Sequence, residues 1–368
     1  MKKIIKHSLP DKCRIIAVSD IHTCWYLLDS ILKKVCYRPG IDYLVIVGDI
    51  LEHWDQNLQT IDYMRELCKN ERAYCLMGNN DTASYHMAYR YDYNKFSDRS
   101  RKKPNNAFLQ MANKIGINDF PPDKFEELRK IVCESFRTEL DFMESRPYVL
   151  ETQEHIFVHA GIENRPDWYN TSDTYALTQP FYLRENQCSG KWVVVGHFPC
   201  YNYKRSNNTN LPIIDHNKKI ICIDGGLTIK TACQLNAFCI YKNNDSYKYE
   251  TVWDTFFNKV TAKHDYDSGL SPVYVDPYNN SIEILENIGE LSLVRDSVSG
   301  VEGMIPTKRI FQEADRLRVW EYLNAFPSVK KGESVSMCRN IGNYSQIIAE
   351  SGQIGWVPKN IFETNSKA

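Results

Sequence analysis

Five short segments each place a polar, metal-competent side chain just after an apolar run. They are Ser19-Asp20-Ile21-His22, Gly48-Asp49-Ile50-Leu51-Glu52, Gly78-Asn79-Asn80-Asp81, Val158-His159-Ala160-Gly161 and Val195-Gly196-His197-Phe198-Pro199. The runs before them are Arg14–Val18, Tyr43–Val47, Ala73–Met77, His155–Val158 and Trp192–Val195. Apolar runs of that length, bounded by Gly or Asp, read as buried strands. Ligands at the carboxyl ends of strands in an open α/β sheet converge on one crevice. That convergence is what most restricts the fold.

The chain alternates strand and helix across residues 14–80, with helices near Trp25–Cys36 and Asn57–Lys69. This βαβαβ order implies right-handed crossovers and a sheet covered by helices. Residues 82–145 interrupt the strands. There, Lys124–Glu144 carries Phe125, Leu128, Ile131, Val132, Phe136 and Leu140 at helical spacing, so a helical insertion is expected. It would either face substrate as a lid or pack plainly on the sheet. Strands resume at His155, Trp192, Lys219–Ile223 and Gln234–Tyr241, and Asp245–Asp267 reads as a polar, aromatic connector.

A weak repeat closes the chain. Gly303-Met304-Ile305-Pro306 followed by Ile310-Phe311 mirrors Gly355-Trp356-Val357-Pro358 followed by Ile361-Phe362. The second copy also holds Leu317–Leu323, Lys331–Ser336 and Tyr344–Glu350, short strands between turns that suggest a small β-barrel. It resembles an SH3-like domain. The expected organisation is therefore a catalytic domain over 1–248, a weaker SH3-like barrel over 268–313 and a second over 316–368. Such barrels imply a peptide partner, although a purely structural barrel fits equally well.

Composition narrows the function classes. A net charge of −1 gives no footprint for broad capture of nucleic acid or an anionic membrane. No run approaches a membrane span and no signal core follows the basic start, so a cytoplasmic protein is expected. The twelve cysteines include no Cys-x-x-Cys pair and read as small buried hydrophobes rather than a disulfide framework.

The convergent residues suit one chemistry. Phosphoesters resist attack because their oxygens are negative. Two cations about 3.5–4 Å apart neutralise them, lower the pKa of a bridging water and hold nucleophile and phosphorus in line. Asp20 and His22 share a face at a strand end and can reach one ion. Asp49 is the natural bridge, and Asn79, His159 and His197 complete a second site. Oxygen and imidazole donors together accept Mn, Fe or Zn, so two divalent ions are the expected cofactors.

Over residues 13–240 the sequence resembles the calcineurin-like metallophosphoesterases, and within them the bacterial phosphoprotein phosphatase branch that shades into diadenosine tetraphosphatases. The resemblance implies a four-layer α/β fold: a β-sandwich flanked by helices, here followed by small all-β barrels. It assigns Asp20, His22 and Asp49 to one metal, and Asp49, Asn79, His159 and His197 to the other. Tyr182-Leu183-Arg184-Glu185 resembles the family's Trp-Ile-Arg-Glu segment, which makes Arg184 a phosphate clamp. Asp224, in Ile223-Asp224-Gly225-Gly226, is expected to orient a ligand.

Three positions depart from the family pattern. Glu52 and His53 stand where it has Asp and Arg, and Asn80 replaces the His that protonates the leaving group. Asparagine cannot donate that proton, and losing a general acid typically costs about 10²–10⁴ in rate. Either the substrate has a leaving group that needs little protonation, or His53 serves as the acid. The expected function is a dinuclear hydrolase, first of serine/threonine phosphatase type, with a phosphorylated protein or a nucleotide as substrate. The alternatives are a nucleotide phosphodiesterase, a dinucleoside tetraphosphatase, or a weakly active scaffold that works through its SH3-like modules.

Overall fold

A computed structural model describes residues 4–203, 208–269, 280–319 and 326–363. The chain divides into two compact units. The first comprises Met1–Pro199, Pro212–Thr228 and Leu235–Asp254.

Two sheets build this unit. One has five strands in the order Ser246–Asp254, Leu235–Asn243, Lys12–Val18, Tyr43–Ile46, Ala73–Cys75. The other has six, in the order Ile4–Lys6, Val149–Glu151, His155–Val158, Trp192–Val195, Ile220–Cys222, Ile213–Asp215. The central strands of both are parallel: Ala17 faces Val45, Val45 faces Tyr74, and Phe157 faces Val194. Strand periodicity explains the layering. Ile15, Ala17, Val45 and Val47 share one buried cluster with Phe157, Val194 and Ile221 of the other sheet. The alternate residues Ile16, Val18, Leu44 and Ile46 are also buried, on the opposite face. The helix Trp25–Lys34 buries Leu27, Leu28, Ile31 and Leu32 along one stripe. Each such side chain contributes about 1.5–3 kcal/mol relative to exposure.

The hairpin partner Ser246–Asp254 corrects the reading of Asp245–Asp267 as a connector. Tyr247 and Tyr249 pack on the core cluster, while Lys248 and Glu250 on the exposed face form an ion pair at 2.6 Å. Polar and aromatic residues alternate here because one face is buried.

The 82–145 region is helical, with helices Asn79–Tyr89, Tyr93–Lys102, Ala107–Lys114, Phe125–Ser135 and Arg137–Ser145. Asp92 and Asn106 cap two of them by accepting from the Lys95 and Leu109 amides. Phe96 packs against Phe108, Phe120 and Phe125, with ring centroids 4.8–5.7 Å apart. The single stripe expected over Lys124–Glu144 is instead two helices broken at Phe136, and Ile131 is 41% exposed.

The second unit comprises Cys200–Leu211, Ile229–Gln234 and Thr255–Ala368. It holds two antiparallel sheets. One orders Glu302–Pro306, Leu291–Asp296, Ser281–Ile288, Arg316–Val319, Ile310–Glu313, and the other Asn258–Thr261, Ser334–Ile341, Tyr344–Ile348, Ile354–Pro358. Arg316–Val319 thus pairs with Ser281–Ile288 and Ile310–Glu313, so a boundary drawn at 316 cuts the first sheet. The remainder of the expected strand Leu317–Leu323, beyond Val319, lies outside the described residues, as do 270–279 and 364–368. The repeat has a structural counterpart: both copies end a strand at Pro306 or Pro358 and enter a short 3₁₀ turn. Ile305 and Val357 sit in separate cores, while Met304 and Trp356 share one cluster. No helix among the described residues is long and apolar enough to cross a membrane.

Candidate functional site

The strand-end loops are zipped to each other by backbone hydrogen bonds. The Asp20 amide donates to Gly48 O (3.1 Å), the His22 amide to Asp49 O (3.1 Å) and the Thr23 amide to Ile50 O (2.8 Å). These turns are sharp. Asp20, His22, Thr23, Asp49, Glu52, His53 and His197 all adopt left-handed backbone, with φ between 46° and 74°. Such conformations cost about 1–3 kcal/mol each and cluster where side chains must be aimed at a site. Two glycines let the loops approach. A Cβ at Gly78 would lie 2.1 Å from Asp49 Oδ1, and one at Gly196 would lie 2.2 Å from Asp20 Oδ2.

Six of the expected residues converge. Donor atoms of Asp20, His22 and Asp49 lie within 4.8 Å of one another, and so do those of Asp49, His159 and His197. Asp49 belongs to both groups. One amide atom of Asn79 stands 2.9 Å from both His159 Nε2 and His197 Nδ1, placing it in the second group. Backbone carbonyls orient two of the rings: His159 Nδ1 is 2.9 Å from Val47 O and His22 Nδ1 is 3.2 Å from Leu51 O. Each Nε2 is thereby turned towards the carboxylates, with His159 Nε2 3.6 Å from Asp49 Oδ1 and His22 Nε2 3.9 Å from Asp20 Oδ1.

Electrostatics shows what the cluster suits. Burial, then the nearby Asp49 charge, pushes the Asp20 carboxyl well above its usual range. Asp224 is raised in the same way by burial and by Asp20, while its Oδ1 accepts from the Gly226 amide at 2.7 Å. Burial penalises the Asp49 charge too, but the three histidines, His159 foremost, hold it below the usual value. His22 is lowered, first by burial. Asp20 Oδ1, His22 Nε2 and Asp224 Oδ2 are buried without hydrogen-bond partners. Closely packed carboxylates, buried imidazoles and orphaned lone pairs together fit divalent cations, which satisfy all three at once.

The other expected residues are dispersed. Asn80 does not meet Glu52. Its amide N–H donates to Asp49 Oδ1 (2.9 Å) and its Nδ2 to Asp49 Oδ2 (2.7 Å), so it clamps the shared carboxylate. Glu52 accepts instead from Ser84 Oγ (2.8 Å) and pairs with Arg99 of the helical insertion. The exposed His53 ring meets His22 edge-on at 4.3 Å. Desolvation, then His22 and Lys103, lowers its pKa to about 3, which favours the neutral ring. Arg184 is exposed and lies 4.8 Å over the Phe181 ring. Phe181 in turn packs 4.5 Å from Phe198, the neighbour of His197.

Sequence reasoning missed the support beneath the site. Asp81 Oδ1 accepts from the Ile50 and Leu51 amides at 3.1 Å each, and its Oδ2 accepts from the Gly78 amide at 3.0 Å. Arg146 holds the same Oδ2 at 3.0 Å. Asp81 stands in the quoted Gly-Asn-Asn-Asp segment, whereas nothing in the sequence marks Arg146.

The profile of the family described as calcineurin-like phosphoesterase matches residues 13–201, just over half of the chain. A symmetrical bis(5'-nucleosyl)-tetraphosphatase from Janthinobacterium sp. (strain Marseille) is 26% identical over 164 residues, 44% of this chain and 48% of that protein. One from Pseudomonas syringae pv. syringae (strain B728a) is 34% identical over 67 residues, 18% of this chain and 22% of that protein. The chain thus spans about half or less of the curated relatives it matches. Among solved structures, one assigned as a diadenosine tetraphosphatase superposes with a TM-score of 0.44 at 14% identity, over 69% of this chain and 99% of that one. A Saccharomyces cerevisiae serine/threonine phosphatase with similarity to human PP5 gives 0.41 at 12% identity, over 70% and 85%. On its family profile, this chain belongs to the calcineurin-like phosphoesterase family.

Proposed function

We propose that the chain is a dinuclear hydrolase of phosphoanhydrides or similarly activated phosphoesters. Asp20, His22 and Asp49 would hold one divalent ion, and Asp49, Asn79, His159 and His197 the other. When bound, such a pair supplies Lewis-acid charge and a nucleophile at neutral pH. The protein's own share is positioning. Asn80 fixes the rotamer of Asp49 with two hydrogen bonds, and the Val47 and Leu51 carbonyls fix the tautomers of His159 and His22. Arg184, which lies over Phe181 and through it near Phe198, would act as a bidentate phosphate clamp.

The observation that carries the substrate class is Asn80. Its amide is committed to Asp49 and has no acidic proton. Asn80 therefore favours a leaving group that departs as a stable anion. A phosphoanhydride or a nitrophenyl diester meets that condition, and a seryl alkoxide does not. This favours the nucleotide alternatives over a serine/threonine phosphatase. The names of the matched relatives, symmetrical bis(5'-nucleosyl)-tetraphosphatases, support the same choice. In the second unit we read the two sheets as SH3-like modules that take a peptide partner. The support is the repeated strand–Pro–3₁₀ ending and the separate core of each sheet.

A competition assay with Mn²⁺ tests the reading, pitting diadenosine tetraphosphate and bis-nitrophenyl phosphate against a phosphoserine peptide. Turnover of the first two at least 100-fold above the peptide is expected, about the lower limit of what a general acid contributes. Faster turnover of the peptide would overturn the assignment.

A further inference from the structure

A cleft of about 440 Å³ opens beside Asn79. Asn79 is also the first residue of the helix Asn79–Tyr89, and Thr82, Ala83 and His86 follow it along the same face. From Asn79 to His86 the helix rises about 10 Å. The cleft therefore reaches well past a single phosphoryl group, and its volume lies within the range of small-ligand sites, about 300–1,000 Å³.

Its walls are aromatic. Tyr85, His86, Tyr91 and Tyr148 all line it. The His86 and Tyr91 rings meet at 5.8 Å and 64°, and Tyr85 lies 6.3 Å from His86. Charge in the cleft is nearly balanced: the carboxylates of Glu144 and Asp173 stand against Arg90 and Arg146, and Arg146 is already paired with Asp81. A second polyphosphate would find little excess positive charge there. A flat, polar-edged ring with donor groups would find π faces to stack on and carboxylates to accept from it. Arg146 adds a separate indication. It lines the cleft at 2% exposure, and its Nε and Nη2 have no hydrogen-bond partner. Buried guanidinium donors left unpaired are costly, and a carbonyl or ring nitrogen of a ligand would satisfy them.

We propose that this cleft seats the nucleoside of a nucleoside polyphosphate, with the phosphate chain running past Asn79 towards the metal-competent cluster. The inference rests on the hydrolase reading for its orientation, but not for the existence of the binding site.

The test is equilibrium binding of AMP and of adenosine to the full chain in chelator, where hydrolysis plays no part. Wild type should bind both. Tyr85→Ala should weaken AMP binding roughly tenfold, the usual scale of a lost stacking platform, while Tyr85→Phe stays within about threefold of wild type. Tyr169→Ala, an exposed tyrosine outside the cleft, should bind like wild type. Retained circular dichroism of each variant checks folding, and the phenylalanine variant covers a Tyr85→Ala protein that fails it. No AMP binding by wild type, equal binding by Tyr85→Ala, or displacement of AMP by a phosphoserine peptide would overturn the proposal. If AMP binds through Tyr85 yet Mn²⁺-loaded protein cleaves no phosphoanhydride, the hydrolase reading fails and the nucleoside site stands. If bis-nitrophenyl phosphate is cleaved but AMP does not bind, the site fails and the hydrolase stands.

Discussion

Asp81 and Arg146 form an ion pair at 3.0 Å with no more than 2% of either side chain exposed. Through Asp81 the pair also holds the amides of Ile50, Leu51 and Gly78, the backbone on either side of Asp49. Arg146→Met would leave the Asp81 charge buried and unpaired. Such losses cost about 3–5 kcal/mol. Urea denaturation should show a drop of that size, and a drop under about 1 kcal/mol would mean that the amides alone satisfy Asp81.

Gly78 tests how tightly the loops must approach. A Cβ there would collide with Asp49 Oδ1 and also with its backbone nitrogen at 2.2 Å. Overpacking of this kind costs about 1–3 kcal/mol. Gly78→Ala should lower stability by that amount and displace Asp49, and calorimetric titration with Mn²⁺ should then show about 10–100-fold weaker binding. Wild-type affinity would show that Asp49 does not hold the ion.

Asn80→His bears on leaving-group chemistry. Placing an imidazole at this position should raise turnover of alkyl phosphate monoesters by roughly 10²–10⁴ while changing nitrophenyl esters much less. An equal change on both substrates would show that protonation of the leaving group is not what Asn80 forgoes.

His155 provides a pH dependence outside the site. It is fully buried on the strand His155–Val158, with Nε2 3.1 Å from Tyr249 Oη, and burial lowers its pKa to about 3. The unfolded chain protonates near the usual 6.5, so below that pH it binds a proton that the folded chain refuses. Stability is therefore unaffected above about pH 6.5 and falls as pH drops towards 3. Between pH 7 and pH 5 the loss from this residue is about 2 kcal/mol. Urea midpoints at the two pH values for wild type and His155→Gln should differ by that increment. Identical pH slopes would show that the ring is hydrated or already charged.

The sequence revealed the site better than its foundations. Asp20, His22, Asp49, Asn79, His159 and His197 were legible because strand-end residues converge by topology alone, whatever the intervening loops do. Arg146 and Arg99 were not, since each reaches its partner across a large sequence separation, 65 residues to Asp81 and 47 to Glu52. No local pattern encodes such a pairing. The strand Ser246–Asp254 was hidden because charged residues, Lys248 and Glu250, alternate with its inward tyrosines, so that no continuous apolar run marks it. Arg316–Val319 belongs to the earlier sheet because register with Ser281–Ile288, rather than adjacency to the next strand, decides its partner.

Asp49, shared by both donor groups, would lie between two cations. Anomalous diffraction from crystals soaked in Mn²⁺ measures this directly. Two peaks about 3.5–4 Å apart are expected, one beside Asp20 and His22 and one beside Asn79, His159 and His197. A single peak, or peaks remote from Asp49, would contradict the account.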